Sequence, residues 1–211
     1  MLRQLLYSDL ARQYELERRP APRSQFFALL ARLLHPRFLP VVLCRASRAA
    51  WLRHIPLIPA LLHYVNLVLF GLEVTPACEI GPGVFFPHPC GTVVGAWRIG
   101  QNVTIFQGVT LGARELDMGF DLRVRPEIGD NVILGAGAKI LGGIQIRDNV
   151  LVGANAVVVD SVADGLTVVG IPARPLRPHP AISDPAAETP PAAAAGYATP
   201  SSAAGSATGS F

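Results

Sequence analysis

Five histidines, His35, His54, His63, His88 and His179, are the side chains here best suited to moving a proton near neutral pH. Only His88 falls where the chain interrupts a regular pattern, in Pro87-His88-Pro89-Cys90-Gly91. A lone histidine is usually structural. This one lies on a turn rather than an inward face, at a phase break, which favours a general base acting on an alcohol. A single histidine in the patterned region excludes a metal centre built from several converging histidines, so no metal site is expected. Glu73 is the nearest upstream carboxylate. Counting repeats puts it one strand below the His88 turn, close enough to orient an imidazole; the plainer reading is a solvated residue. Cys90, two residues after His88, could form a nucleophile pair with it. No third orienting group is visible, and a small space-filling thiol is the simpler reading. Arg123 and Arg125, in a longer interruption, could hold a carboxylate or phosphate, or be ordinary loop charges.

The pattern that positions these residues has a period of six. Ile80 and Phe86 form one pair, and Val93, Ile99, Ile105 and Leu111 follow after a slip of one residue. Ile128, Leu134, Ile140, Ile146, Val152 and Val158 then repeat without a break. Four places on, a smaller apolar residue recurs, as at Val103, Val109, Val132, Ala138, Val150 and Ala156. This period fits neither an α-helix nor an ordinary twisted sheet. It fits a parallel β-helix, in which three six-residue units close a triangular coil of about 18 residues. The large residue points inward and stacks on its copies. Two interruptions stand out, the His88 turn and the excursion between Leu111 and Ile128, and function concentrates at such places. The stretch Ile133–Gly142 is small and flat on its outer turn, where backbone amides can be approached by a thin ligand such as a pantetheine arm; turn geometry explains its glycines equally well.

Residues 1–70 read as an α-helical region, 71–177 as the β-helix domain, and 178–211 as a disordered tail of Pro, Ala, Ser, Gly and Thr. Leu2, Leu6, Leu10 and Tyr14 share a face of a helix over 2–17. Ser24 is a candidate N-cap for a second helix carrying Phe26, Phe27, Leu30, Leu33 and Leu34. A third spans about 40–51, with Val42, Leu43, Ala46 and Ala50 inward. The almost wholly apolar stretch Ile55–Leu72 is at the lower length limit for a membrane span and contains Pro56, Pro59, His63 and Asn66. A buried helix at a subunit or domain contact is the favoured reading, with peripheral membrane association as the alternative.

Up to His54 there are ten arginines against Asp9, Glu15 and Glu17. Recognised nucleic-acid motifs and base-stacking aromatics are absent, so no nucleic-acid partner is expected. Cys44, Cys78 and Cys90 have neither metal nor redox spacing, which suits a reducing, cytoplasmic compartment. The N-terminus meets Asp9 and Arg12 too soon for a signal peptide.

Four ordered blocks then resemble the serine O-acetyltransferases: His88–Gly95, Ile105–Gly112, Gly135–Gly142 and Gly170–Arg174. The resemblance covers roughly 70–176. It implies a left-handed β-helix, a homotrimer, and acetyl transfer from acetyl-CoA, bound between adjacent subunits, to a hydroxyl. It implies that His88 deprotonates the acceptor and that Glu73 stands for the aspartate orienting it. Ala136 and Ala154 match positions whose backbone meets the pantetheine arm, and Gly112 the turn near the thioester. The family's aspartate before the histidine is Pro87 here, and its second active-site histidine is Arg125, on the acceptor side. The short helical region gives no support for pairing of trimers into hexamers, and the ending Gly209-Ser210-Phe211 none for docking into a sulfhydrylase.

Three readings follow. The first is an acetyl-CoA-dependent serine O-acetyltransferase of cysteine biosynthesis with His88 as base. The second keeps that chemistry but takes a saccharide hydroxyl, as in capsule or exopolysaccharide decoration. The third is a non-catalytic β-helix scaffold.

Overall fold

A computed structural model describes residues 2–178 apart from Ala21, Arg23, Leu34 and Met118. The expected tail beyond Pro178, with His179, lies outside the described residues. Four helices come first: α1 (Leu2–Leu16), α2 (Gln25–Arg32), α3 (Leu39–Trp51) and α4 (Ile58–Phe70). The chain then winds as a left-handed parallel β-helix with three faces. The first face stacks β1 (Leu72–Val74), β3 (Thr92–Val94), β6 (Thr110–Gly112), β9 (Lys139–Leu141) and β12 (Val157–Val158). The second stacks β2 (Glu79–Ile80), β4 (Arg98–Ile99), β7 (Glu127–Ile128) and β10 (Gln145–Ile146). The third holds β5 (Thr104–Ile105), β8 (Ile133–Leu134), β11 (Leu151–Val152) and β13 (Leu166–Gly170). Every pairing is parallel except that of β13 with the closing strand β14 (Ala173–Pro178).

Packing explains the period of six. Ile99, Ile105, Leu111, Ile128, Leu134, Ile140 and Ile146 are all buried, each stacked between copies one coil above or below. Each such side chain stabilises the fold by about 1.5–3 kcal/mol through its removal from water. One expectation needs correction. Val94, not Val93, is the inward residue, pairing with Leu111 while Val93 pairs with Thr110. The chain spends eight residues from Phe86 to Val94 and only five from Val94 to Ile99. An expanded corner and a shortened one nearly cancel, leaving the single-residue slip.

The first coil has no neighbour beneath it, so its backbone groups need other partners. The helices supply them. Asp9 accepts from the Gly83 and Val84 amides at 2.8 and 3.2 Å. Arg45 donates to the Ile80 and Gly81 carbonyls, and Arg48 to those of Pro76 and Ala77. This rotates α3 from its expected orientation. Its buried residues are Pro40, Val41, Arg45, Ser47 and Ala50, whereas Val42, Leu43 and Ala46 are half-buried. The polar face turns inward because Arg45 must reach the coil.

The apolar stretch folds largely as α4. Within this chain α4 is not a buried helix. Asn66 is its only fully buried residue, donating to the Pro40 carbonyl, while Leu61, Tyr64, Val68 and Leu69 are exposed. Among the described residues, no helix is long and apolar enough to cross a membrane.

Candidate active site

His88 stands exposed in the corner that carries the first coil from its third face back to β3. Pro87 and Pro89 fix φ on either side of it. The corner seats directly over the start of β1, where the Gly91 amide donates to the Gly71 carbonyl at 2.9 Å. Glu73 lies two residues further along β1, exposed on its outer face and in register with Val93. His88 thus stands at one edge of the first face and Glu73 on the middle of its first strand, and neither side chain is hydrogen-bonded among the described residues.

Successive turns at this corner build a strip without side chains. Gly91, Gly108 and Gly137 stack with φ of 71°, 69° and 72°, in the left-handed region that glycine adopts without strain. A Cβ on Gly91 would sit 3.8 Å from the Gly108 Cα, and one on Gly108 3.6 Å from the Gly137 Cα. Asn155 (φ 57°) continues the column above Gly137. Ala136 and Ala154 occupy the preceding position on their own coils, and neither N–H has an acceptor among the described residues. The strip offers a flat wall and two free donors to a thin ligand.

Lys139 was not anticipated. Its ammonium donates to the Gly108 and Gly137 carbonyls at 3.0 and 2.6 Å, tying two turns of the strip together. Its being the only lysine of the chain was the one available signal.

Gly112 and Arg125 stand elsewhere. Gly112 ends β6 at the opposite corner of the first face, where a Cβ would meet nothing within 4 Å. The excursion begins there and folds over the Gly142-Gly143 turn, leaving a cleft of about 610 Å³ lined by Arg114, Glu115, Asp121 and Arg123. Arg125 faces inward within the excursion. It donates to the Asp117 carboxylate at 2.9 Å, the Asp117 carbonyl at 3.0 Å and the Gly95 carbonyl at 3.0 Å. Its guanidinium also lies 4.1 Å from the Phe120 ring centroid. Arg125 is therefore committed to holding the loop. Arg123 is exposed and pairs with Asp121, whose carboxyl it holds down at about 2. A single chain brings His88, Ala136 and Ala154 along one edge of the first face, Glu73 to the middle of its first strand, and Gly112 and Arg125 along the other edge, about 10 Å away across three-residue strands.

The cysteines add no chemistry that the geometry supports. Burial pushes the Cys44 and Cys78 thiols up to about 12, so neither is a thiolate at neutral pH. Cys90 is exposed rather than space-filling, because the expanded corner turns it outward. Among the described residues, no cluster of three or more His, Cys, Asp or Glu could hold a metal.

The chain is similar to known proteins in both sequence and fold. Residues 125–160 match the bacterial transferase hexapeptide family, six repeats. The chain is 37% identical over 172 residues to a serine acetyltransferase of Synechococcus elongatus, covering 80% of this chain and 68% of that one. It is 47% identical over 113 residues to one from Staphylococcus xylosus, spanning 53% of this chain and about half (51%) of the relative. Among solved structures, the serine acetyltransferase of Brucella abortus strain S19 in complex with coenzyme A superposes with a TM-score of 0.71 at 29% identity. That match covers 85% of this chain and 69% of the other.

Proposed function

Because the chain belongs to the serine acetyltransferase family, we propose that it transfers the acetyl group of acetyl-CoA to the hydroxyl of L-serine, with His88 as general base. The observation that carries this reading is the meeting, on one corner, of an exposed imidazole with a strip of glycines and two unused amides. The pantetheine arm of acetyl-CoA fits such a strip: it is thin, and its amide carbonyls are acceptors for the Ala136 and Ala154 N–H groups.

The step is then simple. His88 takes the proton from the serine hydroxyl as the oxygen attacks the thioester carbonyl carbon. The tetrahedral intermediate collapses, the carbon–sulfur bond breaks, and the coenzyme A thiolate recovers the proton from the His88 imidazolium. Glu73, on the strand beneath, is the carboxylate that would orient the ring and stabilise its transient positive charge. No acyl-enzyme is needed.

The two edges of the first face belong to one site when copies pack side by side. In a homotrimer the His88 edge of one copy meets the Gly112–Arg125 edge of the next, and the excursion closes the acceptor side. A cytoplasmic location accords with three free cysteines. A saccharide hydroxyl is the second reading of the acceptor. It is favoured by Arg125, which is consumed inside the loop, and by Pro87, which offers no charge to an amino acid.

The test is release of coenzyme A thiol from acetyl-CoA by the purified chain, with L-serine, then with a panel of sugars, beside His88→Ala. Release with serine that vanishes in the variant supports the first reading. Release only with a sugar moves the acceptor to the second. Unchanged release in His88→Ala removes the base.

A further inference from the structure

The helical region carries a feature that acetyl transfer does not use. From Arg18 through Leu72 the sequence has no aspartate or glutamate, against eight arginines. The same stretch ends in a hairpin of α3 and α4 whose connection is exposed throughout, Trp51-Leu52-Arg53-His54-Ile55-Pro56-Leu57-Ile58. Leu57 caps the start of α4, and Leu61, Tyr64 and Val68 follow along it at spacings of three and four, so those three form one stripe. Leu57 and these three are 82%, 55%, 62% and 61% exposed. A water-facing helix face would not be built from such residues.

Beside the tip opens a groove of about 680 Å³, lined by Leu2, Leu5, Ala49, Leu52 and Ile80 together with Arg45, Arg48, Arg53 and one carboxylate, Glu79. Three other arginines of the region are engaged. Arg32 pairs with Glu17 at 2.7 Å, Arg45 with Asp9 at 2.9 Å, and Arg48 binds the Pro76 and Ala77 carbonyls. Arg53 and His54 stay exposed, and among the described residues the Arg53 guanidinium donates only to the Ala49 carbonyl at the end of α3.

We propose that the α3–α4 tip and the outer stripe of α4 rest on an anionic phospholipid surface. Trp51, Leu57 and Leu61 enter the boundary between headgroups and acyl chains, Arg53 meets lipid phosphate, and the groove receives an acyl chain. The charge pattern selects this occupant. Contact with a second copy requires apolar area but gives no reason to exclude every carboxylate over the whole stretch, whereas a negative bilayer repels each one. Tryptophan and tyrosine beside arginine are also the side chains that settle at a membrane–water boundary. With no helix among the described residues long and apolar enough to span, this region lies on the surface.

Flotation of the full chain with vesicles tests this, using phosphatidylcholine alone and phosphatidylcholine mixed with phosphatidylglycerol. The expected result is co-flotation with the mixed vesicles only, lost at high salt. Arg53→Gln weakens it about fivefold. Leu57→Ser/Leu61→Ser weakens it about tenfold or more, with the melting curve and the solution mass unchanged. No binding to the mixed vesicles, or equal binding to both kinds, overturns the proposal. So does a fall in the solution mass of Leu57→Ser/Leu61→Ser, which would assign the stripe to a second copy.

Discussion

Arg125 and Asp117 close the excursion on itself, the Arg125 Nε donating to the Asp117 carboxylate at 2.9 Å while a second nitrogen binds the Gly95 carbonyl of the coil below. Gly95 has no room for more. A Cβ there would stand 2.8 Å from the Arg125 guanidinium and 2.9 Å from the Leu111 carbonyl. The loop is thus latched to the coil by one arginine that glycine admits.

Asp117→Asn keeps the shape of the latch and removes its charge. A hydrogen bond to a charged group contributes about 1.5–3 kcal/mol. Amides of residues 115–124 should therefore exchange with deuterium roughly tenfold faster or more, while the coils stay protected. The KM for the acceptor should rise several-fold and that for acetyl-CoA should not. Unchanged exchange would mean that Phe120 and Gly95 suffice to hold the loop.

His88→Ala should lower kcat by about 10²–10⁴-fold, the usual contribution of a positioned acid–base group. Acetyl-CoA should bind as before, because the strip is made of backbone. His88 is exposed, so the melting temperature should not move. Glu73→Gln should lower kcat less and leave both KM values in place. Unfolding of Glu73→Gln would instead make Glu73 structural, against its place on the outer face of β1.

These sites differ in how far the chain alone discloses them. The inward column from Ile128 to Val158 was readable because each residue repeats one local rule. Val94 was not, because two opposite irregularities leave only their difference in the pattern. His88 was conspicuous between prolines at a phase break. The partners of Arg125 could not be read, since Asp117, Phe120 and Gly95 meet only after the loop folds back. The inward face of α3 is hidden for a similar reason. A helical pattern assigns arginine to water, and nothing local says that Arg45 satisfies carbonyls more than thirty residues away.

Acid should loosen the α1–α2 contact first. Hydrogen bonds from Arg32 hold the Glu17 carboxyl below its ordinary value of 4.5. A carboxylate depressed in the folded chain stabilises it fully above that value, and the contribution is lost as pH falls through the lowered one. The melting temperature should therefore drop as pH falls below about 4.5, and Glu17→Gln should be less stable at neutral pH but less sensitive to acid. Equal acid sensitivity in the two proteins would exclude Glu17 as the responsible group.

Asp9 and Arg45 close the open end of the β-helix, and removing one should cost more than removing both. Asp9→Ala takes the acceptor from the Gly83 and Val84 amides and leaves the Arg45 charge buried without its partner. Breaking a buried pair in this way costs about 3–5 kcal/mol. Burial also pushes the Asp9 carboxyl above its ordinary range, the arginine and the two amides offsetting only part of that effect. Asp9→Asn should accordingly be milder, since it keeps an oxygen for the amides and carries no charge to desolvate. In Asp9→Ala/Arg45→Met the orphaned charge is gone, and the Ile80 and Gly81 carbonyls carry the remaining loss. Denaturant unfolding of the four proteins checks the order: wild type, Asp9→Asn, the double variant, Asp9→Ala. A double variant less stable than Asp9→Ala would mean that the carbonyl bonds of Arg45, and not its pairing with Asp9, seal the first coil.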